Sequence, residues 1–385
     1  MRFEFATAAR ILWGEGTAHE VARAAHEFGR RALVVTGRSR RHLTTLRTGL
    51  AAEGVACVDL RVEGEPTVEG VKAGAEVAGA EGCDLVIGLG GGSALDAGKA
   101  IAALLTNPGD LLNYLEVIGN AQPLRARGAP FIAVPTTAGT GAEVTRNAVL
   151  GSPAHRVKVS LRSPLMLARL AVVDPQLTWD LPSEVTASTG LDALTQLIEP
   201  YVSNRANPLT DGFCVEGLAR LSRALRRAYR DGGDHEARAD MSLASLLSGL
   251  ALANAGLGVV HGFAGPVGGM FPAPHGAVCA ALLPHGIEVN IRALRQRDPA
   301  GEALRRYETV ARVLTGRPQA CAEDAVEWTR EICRELQVPS LRAYGVREED
   351  WPALTSKAAS ASSMKGNPIA LTSDEMGEVL ARACG

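Results

Sequence analysis

The chain has 385 residues, of which 46% are hydrophobic and 21% are charged. At ~150 residues per domain this length predicts two or three domains, and the composition excludes both a small disulfide-stapled module and a mainly disordered chain. Lys and Arg total 40 against 42 Asp and Glu, for a net charge of −2, so no strong field attracts nucleic acid or anionic lipid. We therefore expect a small molecule as the partner, with no role for nucleic acid or a membrane.

The cysteines and the start of the chain predict a cytoplasmic protein. Apolar runs such as residues 84–90 are far shorter than the ~20 residues of a membrane helix. Residues 1–16 lack the apolar core of a secretory signal. The seven cysteines are scattered and never form a CxxC pair, which indicates neither a disulfide framework nor a thiolate zinc site.

Strand-like segments alternate with helical ones through the first half of the chain. The order predicts strands at 32–36, 56–60, 84–90 and 130–137, with helices at 40–53, 67–81 and 93–105. Shorter strand-like pieces follow at 147–151, 157–161 and 170–174. Alternation of this kind indicates a parallel sheet covered by helices on both faces.

The composition becomes helical past Pro182. Helices are predicted at 187–203, 207–229, 236–253, 276–293, 300–314 and 320–336. The expected fold is therefore an α/β N-terminal domain with a Rossmann-like parallel sheet over residues 1–180, followed by an all-α C-terminal domain over residues 181–385.

A run of glycines follows the strand at 84–90. Gly91, Gly92 and Ser93 complete the motif GLGGGS and lead directly into a predicted helix. Backbone N–H groups at such a turn bind phosphate with the help of the helix N-terminus, and no Cβ blocks an approaching pyrophosphate. The motif is neither GxGxxG nor a Walker loop, which argues against an ATPase. A tight turn without a ligand is the alternative.

A second cluster of small and hydroxyl residues, PTTAGTGAE, follows the strand at 130–137. Its residues Thr136, Thr137 and Thr140 could hydrogen-bond a sugar or an amide. A surface turn with capping threonines is the simpler interpretation of this segment by itself. We count the three threonines with the glycine turn as candidate cofactor-binding residues.

Four side chains of the second half form a candidate metal site. Asp192 and Gln196 are four residues apart and so project from one face of a predicted helix. His261 and His275 lie downstream, each followed by a glycine. One carboxylate and two imidazoles can hold a divalent metal, with the amide oxygen of Gln196 as the fourth ligand. Each histidine taken singly is more often structural.

The order and spacing of these clusters resemble the group III, iron-containing alcohol dehydrogenases of the dehydroquinate synthase-like superfamily. Members of that family carry GGGSxxDxxK, which is matched here through Asp96 and Lys99, and PTTAGTGSE, which is matched except for Ala142. The segments around Lys158, at 174–178 and at 190–195 continue the match.

The resemblance implies that the first domain binds NAD(P) and the second holds a divalent metal, Fe²⁺ or Zn²⁺. Asp96, Asn147 and Lys158 join the candidate cofactor-binding residues. The implied reaction moves a hydride between the nicotinamide and a small alcohol or aldehyde in the interdomain cleft, where a metal would polarise the oxygen. The family also suggests a homodimer or a larger ring.

The chain departs from the family pattern twice. By resemblance, an aspartate and three histidines ligate the metal, but the histidine expected four residues after Asp192 is Gln196. An amide oxygen is a weaker donor than imidazole, so the site should bind transition metals less tightly. A proton-relay histidine expected four residues after His261 is Gly265. The proton would then travel through water, the cofactor ribose or another group, and we assign His285 as the candidate, beside Asp192, His261 and His275 as catalytic residues.

The turn after the first predicted strand bears on the choice of cofactor. Family enzymes that prefer NAD tend to place an acidic residue where this chain has Gly37. No acid is present, and Arg38, Arg40 and Arg41 are near. Guanidinium groups suit the 2′-phosphate of NADP, so we expect NADP to be favoured over NAD. A basic surface turn is the alternative interpretation.

Three other functions stay open at the level of sequence. One is a metal-independent enzyme resembling the maleylacetate reductases. Another is a synthase-type lyase of the same superfamily. The segment GLDALTQLIEP argues against it, since this sequence resembles the dehydrogenases. The third is a catalytically inactive nucleotide-binding protein, which the presence of Gln196 and Gly265 suggests.

Overall fold

In the computed structural model, residues 2–385 are described, and they divide into two compact units. The α/β unit contains Phe5–Thr137 and Gly141–Asp180. The helical unit contains Leu181–Gly385 together with residues 2–4 and Ala138–Thr140. The sequence predicts one boundary near residue 180; in the structure the long segment of the helical unit begins at Leu181, and two short segments of the first half also belong to that unit.

The segment Ala138–Thr140 belongs to the helical unit for a steric reason. Ala138 is buried in the apolar core of that unit. A Cβ on Gly139 would lie 2.6 Å from the Cβ of Thr189, so only glycine permits the chain to approach this closely. Thr140, a predicted cofactor-binding residue, is therefore placed with the helical unit.

A six-stranded sheet forms the centre of the α/β unit, in the order β1-β8-β5-β4-β2-β3. Every neighbouring pair is parallel. The strands are β1 (Ile11–Trp13), β2 (Arg31–Thr36), β3 (Ala56–Arg61), β4 (Leu85–Gly90), β5 (Phe131–Pro135) and β8 (Leu170–Val173). Strands β4, β5 and β8 are buried along their whole length, as expected for a parallel sheet with both faces covered.

The helices of the α/β unit are α1 (Val21–Phe28), α2 (Leu43–Ala52), α3 (Val68–Ala80) and α4 (Gly92–Leu104). A separate antiparallel hairpin consists of β6 (Asn147–Ser152) and β7 (Val157–Arg162). The strands expected from the sequence are all present. The parallel sheet confirms the predicted α/β fold class.

The helical unit contains nine α-helices within residues 2–385. They are α5 (Ser183–Val202), α6 (Pro208–Arg230), α7 (His235–Ala255), α8 (Val259–Met270), α9 (His275–Arg297), α10 (Glu302–Thr315), α11 (Ala322–Glu335), α12 (Trp351–Ser360) and α13 (Ser373–Cys384). The predicted all-α second half is confirmed. Helices α8, α12 and α13 were not predicted from the sequence, and neither was α1.

Two helices of this unit have buried stretches that matter for the site. Helix α5 is buried without interruption from Gly190 to Val202, so the polar side chains on that stretch lie in the interior. Helix α9 is long and apolar enough to pass a membrane-span test by length and composition, but 83% of its most apolar stretch is buried inside the protein. Burial of this kind is typical of a core helix.

Candidate active site

The glycine turn lies where the sequence predicts it, between β4 and α4. Gly91 is the N-cap of α4, and no side chain caps this end of the helix. Gly92 and Ser93 form its first turn, where backbone N–H groups have no partner within the helix. The uncapped helix N-terminus therefore fits a phosphate group, as the motif predicts.

Register brings three predicted cofactor segments to one edge of the sheet. Thr36 at the end of β2 pairs with Leu89 of β4, and Gly90 pairs with Pro135 at the end of β5. The turn after β2, with Gly37 and Arg38, thus adjoins the glycine turn on one side, and the segment after β5, with Thr136 and Thr137, adjoins it on the other. Ligands of open parallel sheets bind outside these carboxyl ends.

The lysine of the GGGSxxDxxK motif, Lys99, is buried and has a structural role. The Lys99 ammonium donates to the carbonyl oxygens of Ala142 and Asn147, each at 2.7 Å, and to Thr145 Oγ1 at 2.9 Å. It also lies 3.6 Å from Asp96 Oδ1. Burial lowers the pKa of Lys99, and the nearby carboxylates oppose that shift. This lysine fixes the loop after β5 and the start of β6 against α4.

Three predicted cofactor-binding residues have protein partners in the structure. Asp96 Oδ2 accepts a hydrogen bond from the backbone N–H of Val149 at 3.0 Å. The Lys158 ammonium lies 2.6 Å from Glu65 Oε2, and the carbonyl of Asn147 accepts from Lys99. The roles of Asp96, Asn147 and Lys158 toward the cofactor stay predictions.

The arginines after β2 differ in whether they have partners within the protein. Arg40 pairs with Asp59 at 3.0 Å, and Arg41 donates to the carbonyl oxygen of Asp180 at 2.7 Å. Arg38 is exposed and has no hydrogen-bond or ion-pair partner among residues 2–385. Of the three, Arg38 is the guanidinium that is free to meet an anionic ligand.

A compact cluster of four metal-ligating side chains lies in the helical unit. Asp192 comes from α5, His261 from α8, and His275 and Cys279 from α9, and one donor atom of each lies within 4.8 Å of all the others. Asp192 Oδ1 is 3.4 Å from His261 Nε2 and 3.7 Å from His275 Nε2. The Cys279 Sγ atom is 3.8 Å from His261 Nε2 and 3.7 Å from His275 Nε2.

The donor set fits a divalent cation. Asp192 Oδ1 is buried and makes no hydrogen bond within the described chain, which is costly for a carboxylate oxygen unless a cation meets it. Burial opposes the ionised form of Asp192, but His275 and His261 lower its pKa below the ordinary value. Burial likewise opposes charge on His261, yet Cys279, Asp192 and Glu199 raise its pKa well above the ordinary value. The cluster thus attracts positive charge, which a divalent ion supplies in place of protons.

Glu199 orients the imidazole of His261. Its Oε2 lies 2.7 Å from His261 Nδ1, and its Oε1 accepts the backbone N–H of Val260 at 2.7 Å. A carboxylate at Nδ1 holds the proton there and leaves Nε2 as the ligand atom. Glu199 follows Asp192 by two helical turns on α5, so both carboxylates project from the same face.

A glycine lets the histidine of α9 reach the cluster. His275 is the first residue of α9, and a Cβ on Gly276 would lie 2.4 Å from the carbonyl oxygen of Ser188. The start of α9 therefore packs directly on the backbone of α5. The His275 side chain is 35% exposed, against 5% for His261 and 2% for Asp192, so solvent or substrate reaches the cluster from the His275 side.

The two positions that depart from the family pattern are both placed by the structure. Gln196 is buried on α5, and its Oε1 accepts a hydrogen bond from Ser248 Oγ at 3.0 Å. Its role as a metal ligand stays a prediction. A Cβ on Gly265 would have no atom within 4 Å, so open space stands where the family has its relay histidine.

His285, the predicted relay residue, lies among charged groups of its own helix and of α11 and α13. Burial and Arg330 lower its pKa to about 4, with Glu288 opposing the shift and Arg382 adding to it. Its Nδ1 is buried without a hydrogen bond inside the described part of the chain. At neutral pH the ring is therefore uncharged, and its part in proton transfer stays a prediction.

Sequence reasoning missed Cys279 and Glu199. The sequence indicated no thiolate site because it has no CxxC pair, whereas His275 and Cys279 are four residues apart on one helix. That spacing places both side chains on one face, and it was the signal that could have found Cys279. Glu199 is seven residues after Asp192, a spacing that the same argument covers.

Phosphate binding at a parallel sheet and cation binding in a helical unit are the abilities that a metal-assisted nicotinamide oxidoreductase needs. The fold and the two sites define this class. Comparison with known proteins agrees. The profile of the iron-containing alcohol dehydrogenase family matches residues 8–175, and that of the C-terminal domain of the same family matches residues 186–384.

Individual relatives extend over most of the chain. Alcohol dehydrogenase 4 of Schizosaccharomyces pombe is 37% identical over 316 residues, covering 82% of this chain and 72% of that protein. The NAD-dependent methanol dehydrogenase of Bacillus methanolicus is 32% identical over 377 residues, covering 96% and 97%. The crystal structure of a 1,3-propanediol oxidoreductase superposes with a TM-score of 0.91 at 31% identity, covering all of both chains.

The chain belongs to the iron-containing alcohol dehydrogenase family, as its resemblance predicted. It is an alcohol oxidoreductase, so the predicted enzyme class is confirmed. NAD and a metal are the cofactors that go with this family.

Proposed function

We propose that the protein is an NADP-preferring, cation-assisted dehydrogenase of small alcohols that also reduces the corresponding aldehydes. The observation that carries the proposal is the cluster of Asp192, His261 and His275, in which a buried Asp192 oxygen has no hydrogen bond within residues 2–385. When bound, a divalent ion polarises the substrate oxygen, and a nicotinamide supplies or accepts the hydride.

The side chains of the helical unit would hold the ion and orient its ligands. Asp192 supplies the negative charge, His261 and His275 supply nitrogen donors, and Glu199 fixes the His261 ring in its position. Asp192 and His261 are nearly completely buried, and of these three ligands only His275 is partly exposed. In such surroundings an electrostatic contact to the reacting oxygen is worth more than in water.

The preference for NADP is supported by the turn after β2. Gly37 offers no carboxylate to the adenosine ribose, and Arg38 is exposed and has no partner among the described residues. A guanidinium without a protein partner can form charge-assisted hydrogen bonds with a 2′-phosphate. The uncapped start of α4 would receive the pyrophosphate of either cofactor.

Proton transfer to the substrate oxygen needs a path that does not use position 265. The low pKa of His285, about 4, makes it a weak base near neutral pH, since the best catalytic pKa lies close to the working pH. The open space at Gly265 favours water as the carrier over His285.

Turnover with a panel of small aldehydes tests the proposal. Absorbance of NADPH and of NADH is followed with purified protein as isolated, after chelation, and after addition of Zn²⁺ or Fe²⁺. The proposal predicts sustained oxidation that is faster with NADPH, is lost on chelation and returns with the ion. Full activity in chelator would favour the maleylacetate reductase-like alternative, and cofactor binding without turnover would favour an inactive binding protein.

We also infer a cytoplasmic homodimer. All seven cysteines lie unpaired, which suits a reducing compartment. Strand β1 is an edge strand of the sheet and Trp13 at its end is 39% exposed, a feature that a second copy can cover. Light scattering on the protein as it elutes from a gel-filtration column should give a mass twice the 40.3 kDa of one chain. The mass of a single chain would contradict the dimer.

A further inference from the structure

Cys279 is the fourth member of the metal-ligating cluster. The proposed function uses only the other three members, the carboxylate of Asp192 and the two imidazoles. Cys279 follows His275 by one turn of α9, and its Sγ atom lies 3.8 Å from His261 Nε2 and 3.7 Å from His275 Nε2. Cys279 is completely buried. A thiol so placed, beside a carboxylate and two imidazole nitrogens, has the surroundings of a ligand.

We propose that Cys279 is a thiolate ligand of the divalent ion, so that the centre is an Asp, His, His, Cys site suited to Zn²⁺. The inference rests on the premise of the proposed function that a divalent ion binds this cluster. It adds a sulfur donor that neither the family resemblance nor the sequence pattern indicated.

The spacing of the four donor atoms supports this assignment. Around Zn²⁺, with bonds of about 2.0–2.1 Å to nitrogen or oxygen and about 2.3 Å to sulfur, tetrahedral ligands that include one sulfur lie roughly 3.3–3.6 Å apart. The two distances from Asp192 Oδ1 to the imidazole nitrogens are 3.4 and 3.7 Å, and those from Cys279 Sγ are 3.8 and 3.7 Å. Four of the six edges of the tetrahedron are therefore within about 0.3 Å of the required length, so small side-chain movements suffice to bind the ion.

Charge favours the thiolate over the amide of Gln196. A carboxylate and a thiolate together cancel the double charge of the ion in a buried place, where an uncompensated charge is expensive. Binding releases the thiol proton to solvent. Gln196 offers a neutral oxygen that already accepts a hydrogen bond from Ser248 at 3.0 Å. The sulfur thus makes up for the imidazole that this chain lacks at position 196.

The donor set also bears on which ion is held. Thiolate is a softer ligand than imidazole or carboxylate, and sites with sulfur and nitrogen donors bind Zn²⁺ more tightly than Fe²⁺. An enzyme of the iron-containing family with a sulfur in its centre is therefore expected to retain zinc when both ions are offered.

Cobalt substitution tests the assignment. Co²⁺ bound through a thiolate shows a sulfur-to-metal charge-transfer band in the near ultraviolet, which nitrogen and oxygen ligands do not give. The Co²⁺-loaded wild type is expected to show this band. Cys279→Ser should lose it while still binding one Co²⁺ at saturating concentration, with at least tenfold weaker affinity. Cys333→Ser is the matched control, because Cys333 lies near the same helix with its Sγ 3.5 Å from the Ala280 carbonyl oxygen, and it should keep the band.

A second measurement covers the case in which Cys279→Ser does not fold. X-ray absorption of the zinc-loaded wild type should show one sulfur neighbour at about 2.3 Å. Absence of that sulfur, or a charge-transfer band that persists in Cys279→Ser, would overturn the proposal. Neither result depends on turnover. Failure of the proposed function would instead appear as absent alcohol or aldehyde turnover with the sulfur signal intact.

Discussion

Asp192 is the residue whose charge the candidate metal site depends on most. It is nearly fully buried on α5 between two imidazole nitrogens. Asp192→Ala should lower metal affinity and turnover by more than about 100-fold, since even indirect partners of a ligand are worth about 10–100-fold. The affinity for NADPH should stay near that of wild type because the glycine turn and the turn after β2, which are predicted to bind the cofactor, belong to the α/β unit.

Metal analysis after dialysis, steady-state rates and NADPH fluorescence titration check this prediction. Asp192→Asn serves as the matched control of nearly equal volume without charge, and it should behave like Asp192→Ala toward the metal. An equal loss of metal and of NADPH binding would contradict the assignment of the two ligands to different units.

Glu143 makes stability depend on pH through one buried carboxyl group. Burial raises its pKa to about 7, with Lys99 opposing the shift. Because the folded pKa lies above the ordinary value, the group stabilises the fold below its unfolded pKa, and this contribution is lost as pH rises toward and through 7. A shift of this size corresponds to about 3 kcal/mol between the two limits.

Glu143→Gln should remove this dependence. The free energy of unfolding is measured with urea at pH 4.5 and at pH 8. The value at pH 8 minus the value at pH 4.5 should be smaller, or more negative, in wild type than in the variant. Taking the difference between the two proteins cancels the other titrating groups that they share. Identical pH profiles would show that the carboxyl group of Glu143 has no raised pKa in the folded protein.

At the scale of elements, the turn between β2 and α2 is the segment that we expect to decide between NADP and NAD. A Cβ at Gly37 meets no atom within 4 Å, so an aspartate fits there. Gly37→Asp should repel the 2′-phosphate and accept the ribose hydroxyls of NAD. The ratio of kcat/KM for NADP over NAD should fall at least about tenfold, which is about 1.4 kcal/mol.

Gly37→Ala is the uncharged control for this change and should leave the ratio close to that of wild type. Initial rates with both cofactors give the comparison. An unchanged ratio in Gly37→Asp would refute the role assigned to this turn.

Helix α8 carries the second test at this scale. Gly265 lies one turn after His261, and the space beside it is open. Gly265→His should fold and gain less than about 1 kcal/mol, because glycine is the poorest helix former other than proline. An added acid–base group is typically worth ~10²–10⁴-fold, so we expect turnover to rise about tenfold or more, with a new dependence on pH near 6.5.

Gly265→Gln provides the control of similar size without a titrating group. Profiles of kcat against pH are measured for wild type, Gly265→His and Gly265→Gln. The same rate in the histidine and glutamine variants would show that a residue at this position does not relay the proton.

Helix α8 also shows why part of the site could not be predicted. Its twelve residues include four glycines and Pro266, a composition that disfavours helix by about 1 kcal/mol per glycine. Buried Val260, Phe263, Ala264 and Val267 stabilise it by packing within the helical core. Local propensity was overridden by tertiary contacts, which no pattern in the segment reveals.

The α/β unit was more predictable because each of its signals is local. Apolar runs such as 84–90 and the glycines after them identify a buried strand and the turn that follows it, and parallel pairing then brings the turns to one edge. Asp192 and the two histidines could be proposed from residue type. That Cys279 and Glu199 join them depends on how α5, α8 and α9 pack, which is set by side chains far apart in sequence.

At the scale of the whole molecule, the two units supply separate abilities, and the interrupted boundary shows that they are not simple halves of the chain. Residues 138–140 belong to the helical unit although they lie between segments of the α/β unit. Gly139 allows the chain to approach Thr189 of α5 closely. This approach depends on the tertiary fold and has no signal in the sequence.

Titration of metal-free protein with Zn²⁺ while NADPH-dependent aldehyde reduction is recorded tests the central claim most directly. We predict that the rate rises in proportion to added ion and stops at one equivalent per chain, and that Asp192→Ala shows no such rise. Full reduction by the metal-free protein, with no response to the ion, would contradict the account.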